Sequence, residues 1–267
     1  MKSFPAVFIL VSFAFQCFPQ DSVQYKYSSV EYSFPRVFEA AKKTPKWINA
    51  KNITERYWAI YDAANRYSVS SKPVSDRYAL TCYGGPIDLM HFFGLAAQVS
   101  TGSKTLEEFL YLQWIDEGGP ENIKKFNHKE PPEAHPDDLP SNALGSLFSQ
   151  ELIQKKADLN SDIQKEFEEF IAPLLPVPDK VAKEFSHREI VMGWPDNPSD
   201  KQREEKLAWF TAEPMICCDK INTVAKIKLG HPLCKDFTKG KDALEFAGFR
   251  IEKYKEQTII TRRAEKK

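Results

Sequence analysis

Apolar residues spaced three and four positions apart recur along this chain, and that spacing constrains its fold more than any other feature. Because an α-helix repeats every 3.6 residues, the spacing gathers apolar side chains on one face, which must pack against a core. A long helix with this pattern opens at Asp137 or Asp138. The same pattern predicts helices over residues 35–43, 53–67, 87–98, 104–116 and 161–175.

Two regions are typical of β-structure. Residues 249–254 and 258–262 indicate two strands of a hairpin, and residues 77–83 a short strand that ends at Gly84-Gly85. Pro86 then stands where a helix can begin. We therefore predict a mainly α fold of the α+β class, a multi-helix single domain over residues 21–267 with a small C-terminal β hairpin.

The first 20 residues predict a secretory signal peptide. Met1-Lys2 gives a cationic start, and residues 4–15 form an apolar run broken only by Pro5 and Ser12. The run is about a dozen residues long, whereas a membrane-spanning helix needs roughly 20. The sequence thus predicts export of the mature chain.

The cleavage site admits two interpretations. Ser12 and Ala14 are small residues suited to cleavage after Ala14, which would release a free protein. Alternatively, Cys17 becomes the lipidated first residue and tethers the protein to a membrane, although Gln16 departs from the small residue that is usual before such a cysteine. A cysteine without either role is the remaining interpretation.

The charge content limits the possible binding partners, and the cysteines bear on the expected disulfide pairing. Lys plus Arg and Asp plus Glu both number 37, so no global field recruits nucleic acid. In an oxidising compartment the cysteines beyond the signal are expected to pair. Cys217 and Cys218 are adjacent and would strain a mutual bridge, so we expect one of them to pair with Cys234; a zinc site is the alternative.

Two segments carry the residues best suited to chemistry. Asp88 and His91 are three positions apart, and Asp138 and Asn142 are four apart, so each pair shares a helix face. Glycine follows each pair three positions on, at Gly94 and Gly145. Since a glycine inside a helix costs about 1 kcal/mol relative to alanine, we predict that the two helices approach closely there and bring His91 toward Asn142.

Together these four polar residues are candidate catalytic residues. A histidine held by carboxylates suits general acid–base catalysis or a divalent metal ion, although the sequence defines no particular cofactor. The structural alternative is that Asp88 and Asp138 only cap their helices and that His91 is a hydrogen-bonded core histidine.

Cys82 is a second candidate, because a cysteine between a strand and a helix is where a thiolate can be stabilised. His91 or His135 would then act as the base and Asp138 or Asn142 would orient it. A disulfide or a buried thiol is the alternative role of Cys82.

The two polar segments resemble a known family. Residues 83–91, YGGPIDLMH, and 136–145, PDDLPSNALG, are similar to the patterns GGxIDxxH and PEDLYSNxLG of bacterial exported proteins and lipoproteins classed as a domain of unknown function. The similarity covers residues 80–150. It departs at Phe92-Phe93, where the family often has Arg-Asp, and at Pro140, where it has Tyr.

The resemblance implies bacterial origin and export without naming a substrate. We therefore expect a cell-envelope protein, a lipoprotein of the periplasm, outer membrane or cell surface, with a helical domain. Whether it is an enzyme stays open: one hypothesis is an envelope hydrolase, metal-assisted or not, built on the two polar segments. The other is a binding or scaffolding module in which the same residues lock two helices together.

Overall fold

The fold is given by a computed structural model, which describes residues 35–67, 77–106, 108–109, 112–113, 138–185, 219–235, 237, 240–254 and 257–263. It confirms the predicted class, mainly α with a small C-terminal β hairpin. The predicted signal peptide with Cys17, the residue His135 and the pair Cys217-Cys218 lie outside the described residues.

Three helices open the described chain: α1 (Pro35–Lys42), α2 (Pro45–Ile48) and α3 (Ile53–Asn65). Each of the last two begins at a side-chain cap that accepts a hydrogen bond from a free amide of the first turn. Thr44 accepts from the Trp47 N–H and Asn52 from the Glu55 N–H. Helix α3 packs against α1 and against the helix that carries His91.

A hairpin precedes the helix that carries His91; the sequence predicted its first strand, over residues 77–83, but not its second. Strand β1 (Tyr78–Thr81) pairs antiparallel with β2 (Gly85–Asp88), and α4 spans Leu89–Ser100. The predicted helix start at residue 87 is therefore wrong by two residues. Gly85 has a φ of +71°, which allows the tight reversal between the strands, and the cap at Asp88 sets the start of the helix instead of Pro86.

The rest of the described chain alternates helices and turns and ends in the predicted hairpin. Strand β3 (Phe249–Tyr254) pairs antiparallel with β4 (Gln257–Arg262), which begins one residue earlier than predicted. The predicted helix over residues 104–116 lies only partly within the described residues. Between α4 and β3 the described elements are α5 (Asp138–Gln154), α6 (Ile163–Ile171), a 3-10 turn (Ala172–Leu174), α7 (Asp179–Ala182), α8 (Asp219–Leu229) and α9 (Gly240–Phe246).

An aromatic cluster forms the centre of the main core. Phe92 and Phe93 of α4 are fully buried. The ring of Phe92 lies 5.1 Å from that of Phe167 in α6 and 5.3 Å from that of Phe148 in α5, in edge-on and tilted arrangements that aromatic pairs prefer. Phe93 lies edge-on to Phe38 of α1. Helix α4 is thereby fixed against three other helices, which fixes the position of the polar residues at its beginning.

A second, smaller core holds two cysteines. Cys82 and Cys234 are buried and both are thiols rather than halves of a disulfide, so the predicted bridge from Cys217 or Cys218 to Cys234 is wrong. Cys234 is instead held by Asn222, whose amide oxygen accepts from the Leu233 and Cys234 N–H groups and lies 3.2 Å from the Cys234 Sγ. Hydrogen bonds and apolar packing thus fix this segment in place of a covalent link.

No helix in the described ranges has both the length and the apolar character needed to cross a bilayer.

Candidate functional site

The predicted close approach of two helices is present between α4 and α5. Gly145 makes it possible, because a Cβ at this position would overlap the backbone carbonyl oxygen of Phe92. Any larger residue would push the helices apart.

Gly94 has a different role from the one predicted. A Cβ there would lie 3.0 Å from the ring of Tyr61 in α3, so Gly94 faces α3 and not α5. The prediction that both glycines lie at the contact between the two polar helices is therefore wrong for Gly94. Helix α4 packs against α3 on one side and α5 on another, and each interface uses its own glycine.

Asp88 is buried, and both its carboxylate and its backbone N–H form hydrogen bonds. As the N-cap of α4, its Oδ1 accepts from the Met90 N–H at 2.8 Å. Its carboxylate also accepts from Arg77, through Nε at 2.9 Å and Nη2 at 2.6 Å, both to Oδ2. The Asp88 N–H donates to Ser141 Oγ of α5 at 2.9 Å. Asp88 does cap its helix, as the structural alternative states. Through its bonds to Arg77, which directly precedes β1, and to Ser141 of α5, it also connects these two elements to α4.

Arg77 keeps its charge inside the protein. Its burial disfavours the positive charge, but the Asp88 carboxylate outweighs the burial and leaves the pKa of the guanidinium above its usual value. Arg77 also donates to the backbone carbonyl of Tyr67 at 3.3 Å, just beyond α3. The pair therefore joins the ends of α3, β1 and α4.

His91 faces Asp138 across the interface between α4 and α5. Its Nε2 lies 3.3 Å from Asp138 Oδ1, and the side chains are 17% and 3% exposed respectively. One donor atom from each of Asp88, His91 and Asp138 lies within 4.8 Å of the others. The structure thus brings three of the four predicted site residues into one cluster, with His91 the most accessible of them.

Asn142, the fourth predicted residue, is buried on the same face of α5. Three neighbouring positions show which way this face points: Asp138 contacts His91, Ser141 accepts from the Asp88 N–H, and Gly145 abuts Phe92. Along the helix, position 142 lies between Ser141 and Gly145 and one turn after Asp138, so it shares this face. Asn142 is 1% exposed, and neither its amide nitrogen nor its amide oxygen has a hydrogen-bond partner among the described residues.

Sequence reasoning missed two members of the site, Arg77 and Ser141. No local sequence pattern pointed to Arg77, which becomes a neighbour of Asp88 through the antiparallel pairing of Tyr78 with Asp88. Ser141 gave no signal beyond its position in the first turn of α5, three residues after Asp138.

The alternative nucleophile, Cys82, lies elsewhere. Its side chain belongs to the second core, next to Cys234, whereas Leu89 and Phe92 at the beginning of α4 belong to the main core. Cys82 is 3% exposed. Its predicted alternative role, a buried thiol, is the one the structure supports.

No protein-family model matches the chain, and no curated protein or solved structure is significantly similar to it. The resemblance to the bacterial envelope family therefore stays a prediction. Both departures from its pattern have a structural reason. Phe92 and Phe93 belong to the aromatic core, and Pro140 lies in the first turn of α5, where a missing N–H breaks no helical hydrogen bond.

Proposed function

We propose that this protein is an exported hydrolase of the bacterial cell envelope, in which His91 and Asp138 activate a water molecule. The observation that carries the proposal is the 3.3 Å contact between His91 Nε2 and Asp138 Oδ1. A carboxylate beside an imidazole fixes the orientation of the ring and stabilises the charge that it gains when it accepts a proton.

The reaction would be the hydrolysis of an acyl or phosphoryl ester. The water oxygen forms a bond to the electrophilic carbon or phosphorus while the water proton passes to the His91–Asp138 pair. The bond to the leaving group then breaks, and that proton is delivered to the leaving oxygen. No redox partner is needed.

Exposure supports this division of roles. The imidazole of His91 reaches solvent, whereas the Asp88 and Asp138 carboxylates behind it are buried. Asp88 is committed to Arg77 and to the Met90 N–H, so we assign it as a positioning residue and not as a group that touches substrate. Asn142 lines the same interface.

We expect His91→Gln to lower the turnover of chromogenic acyl or phosphoryl esters by about 1000-fold, because a positioned base contributes roughly 100- to 10,000-fold. The measurement is release of p-nitrophenol from p-nitrophenyl acetate, butyrate and phosphate by the purified chain without its signal. Asp138→Asn should lower the same rate, since it keeps the shape of the side chain and removes its charge.

His231→Gln is the matched control, because it changes a histidine outside the cluster and should leave the rate unchanged. Circular dichroism and thermal unfolding of each variant separate lost chemistry from lost folding. If a folded His91→Gln variant keeps the wild-type rate on every hydrolysed ester, the hydrolase proposal is wrong. A large loss of stability with no loss of turnover would instead make the cluster a lock between α4 and α5.

The envelope location depends on the N-terminal sequence. If Cys17 is the lipidated residue, the mature chain expressed in a bacterium will begin at Cys17 and carry acyl chains, as intact-mass and peptide mass spectrometry would show. Cys17→Ser should move the protein from the membrane fraction to the soluble exported fraction. A mature chain that begins unmodified at Phe15 would contradict the tether and leave export intact.

A further inference from the structure

We propose that the same cluster binds a divalent transition-metal ion, held by His91 Nε2, the Asp138 carboxylate and the Asn142 amide oxygen. For the ion's role this inference rests on the proposed function: the ion would acidify the attacking water so that its proton leaves to solvent, and His91 would then serve as a ligand and not as the proton acceptor. The binding itself requires no substrate and can be measured alone.

The spacing of the donor atoms fits a shared ion. Bonds of about 2.0–2.2 Å from nitrogen and oxygen ligands to a tetrahedral zinc ion leave the two ligand atoms about 3.3–3.6 Å apart. His91 Nε2 and Asp138 Oδ1 are 3.3 Å apart. An ion can therefore bridge them with little movement of either helix.

Asn142 is the independent observation that points to a ligand. Buried amides are nearly always hydrogen-bonded, because leaving them unpaired forfeits their interaction with water. Asn142 is 1% exposed, and both its amide atoms are unpartnered within the part of the chain that the structure describes. It lies one turn from Asp138 and between two residues that contact the beginning of α4. Coordination of its oxygen to an ion beside Asp138 removes part of this deficit.

Asp88 belongs to the outer layer of this site. Its carboxylate oxygens already accept from Arg77 and from the Met90 N–H, and a carboxylate offers only about four lone-pair positions. Direct coordination would require it to give up one of these bonds. With these bonds intact, Asp88 fixes the position of α4 along its axis, so that His91 lies opposite Asp138.

The type of ligand favours a transition metal. Asp138 lies opposite the imidazole of His91, while Asp88 is paired with Arg77. An imidazole ligand favours Zn²⁺ over Ca²⁺ and Mg²⁺, which take oxygen ligands almost exclusively, and the carboxylate and amide oxygens of this set also suit Mn²⁺.

Isothermal titration of the chelator-treated mature chain with Zn²⁺ and with Mn²⁺ tests the proposal. We expect saturable binding of one ion per chain and weaker binding of Mg²⁺ and Ca²⁺. Asn142→Leu, which replaces the amide with an apolar group of similar shape, should weaken binding by about tenfold or more, since even the outer partners of metal ligands contribute 10- to 100-fold.

The stability of the metal-free protein distinguishes a ligand from a structural residue. Because the described residues offer the Asn142 amide no partner, Asn142→Leu should keep or raise the melting temperature of the metal-free chain and abolish its increase on adding metal. Ser149→Ala is the control and should leave the affinity unchanged. It removes another buried side-chain oxygen that lacks a partner among the described residues, two turns along α5.

The two proposals fail separately. Wild-type protein that binds neither Zn²⁺ nor Mn²⁺ in a 1:1 ratio, or an Asn142→Leu variant that binds as tightly as wild type, overturns this ligand set. If chelator-treated protein still hydrolyses an ester in a His91-dependent way, the hydrolase stands without the ion. Tight 1:1 binding that Asn142→Leu weakens, with no ester turned over, supports the ion site and removes the hydrolase.

Discussion

Replacing Gly145 with alanine is expected to destabilise the protein by about 3 kcal/mol, because one added methyl group separates the two helices that carry the site. The new Cβ would overlap the backbone carbonyl oxygen of Phe92, and backbone cannot move aside as the end of a side chain can. Overpacking of a core costs about 1–3 kcal/mol, and the upper part of this range applies where backbone is struck. Urea unfolding monitored by circular dichroism measures the difference.

Gly94→Ala is the matched control. Gly94 is also a glycine inside a helix, three residues after His91 as Gly145 is three residues after Asn142, but it faces α3. Its Cβ would lie 3.0 Å from the ring of Tyr61, a partly exposed side chain that can turn. Alanine also improves helix propensity by about 1 kcal/mol. We expect a net change within about 1 kcal/mol. Equal costs for the two substitutions would contradict the close approach of α4 and α5 at Gly145.

The Gly145→Ala variant also tests the site. Separation of α4 from α5 moves Asp138 away from His91, so metal affinity and ester hydrolysis should both fall in protein that is still folded. A stable variant with unchanged affinity for Zn²⁺ would show that the site tolerates a wider spacing than the 3.3 Å contact suggests.

The helices were predictable because each carries a continuous apolar face that has to be buried. The C-terminal hairpin was predictable because two strand-like runs flank a short polar turn. Of the other hairpin, β1 was predictable but β2 was not, since Pro86 is also favoured in the first turn of a helix. The pairing of Tyr78 with Asp88 makes this segment a strand and not the start of a helix. Local sequence patterns do not predict such a contact between separate segments.

The site was partly predictable for a similar reason. Spacing within a helix places Asp88 with His91 and Asp138 with Asn142, but nothing in spacing says which residues of two helices meet. The two glycines predicted the contact between α4 and α5 correctly at Gly145 and wrongly at Gly94, which faces α3. The predicted cysteine pairing was wrong because the expected compartment and the positions of the cysteines along the chain do not reveal that Asn222 holds the Cys234 segment by hydrogen bonds.

The second large effect is expected at Arg77. Arg77→Leu leaves the Asp88 carboxylate buried without its cation, and breaking a buried ion pair from one side costs about 3–5 kcal/mol. The lost bonds include those to Asp88 and the one to the Tyr67 carbonyl. We therefore expect a midpoint of urea unfolding far below that of the wild type.

Lys46→Ala provides the comparison, because Lys46 and Asp62 are also 2.6 Å apart but lie at the surface. Their side chains are 46% and 42% exposed, against 8% and 0% for Arg77 and Asp88. An exposed pair contributes about 0–1 kcal/mol, because water and salt screen it. The same ion-pair distance should thus give two very different costs, and equal costs would contradict the buried position of the Arg77–Asp88 pair.

A double variant identifies the cause of the loss. In Arg77→Leu/Asp88→Asn the carboxylate charge is gone, while the amide oxygen introduced at position 88 can still accept from the Met90 N–H as the cap of α4. If the stranded charge is what destabilises Arg77→Leu, the double variant should recover a large part of the lost stability. It should also recover metal affinity, since Asp88 acts on His91 through the position of α4 and not as a ligand. Recovery of stability without recovery of affinity would place the Asp88 carboxylate among the ligands of the ion.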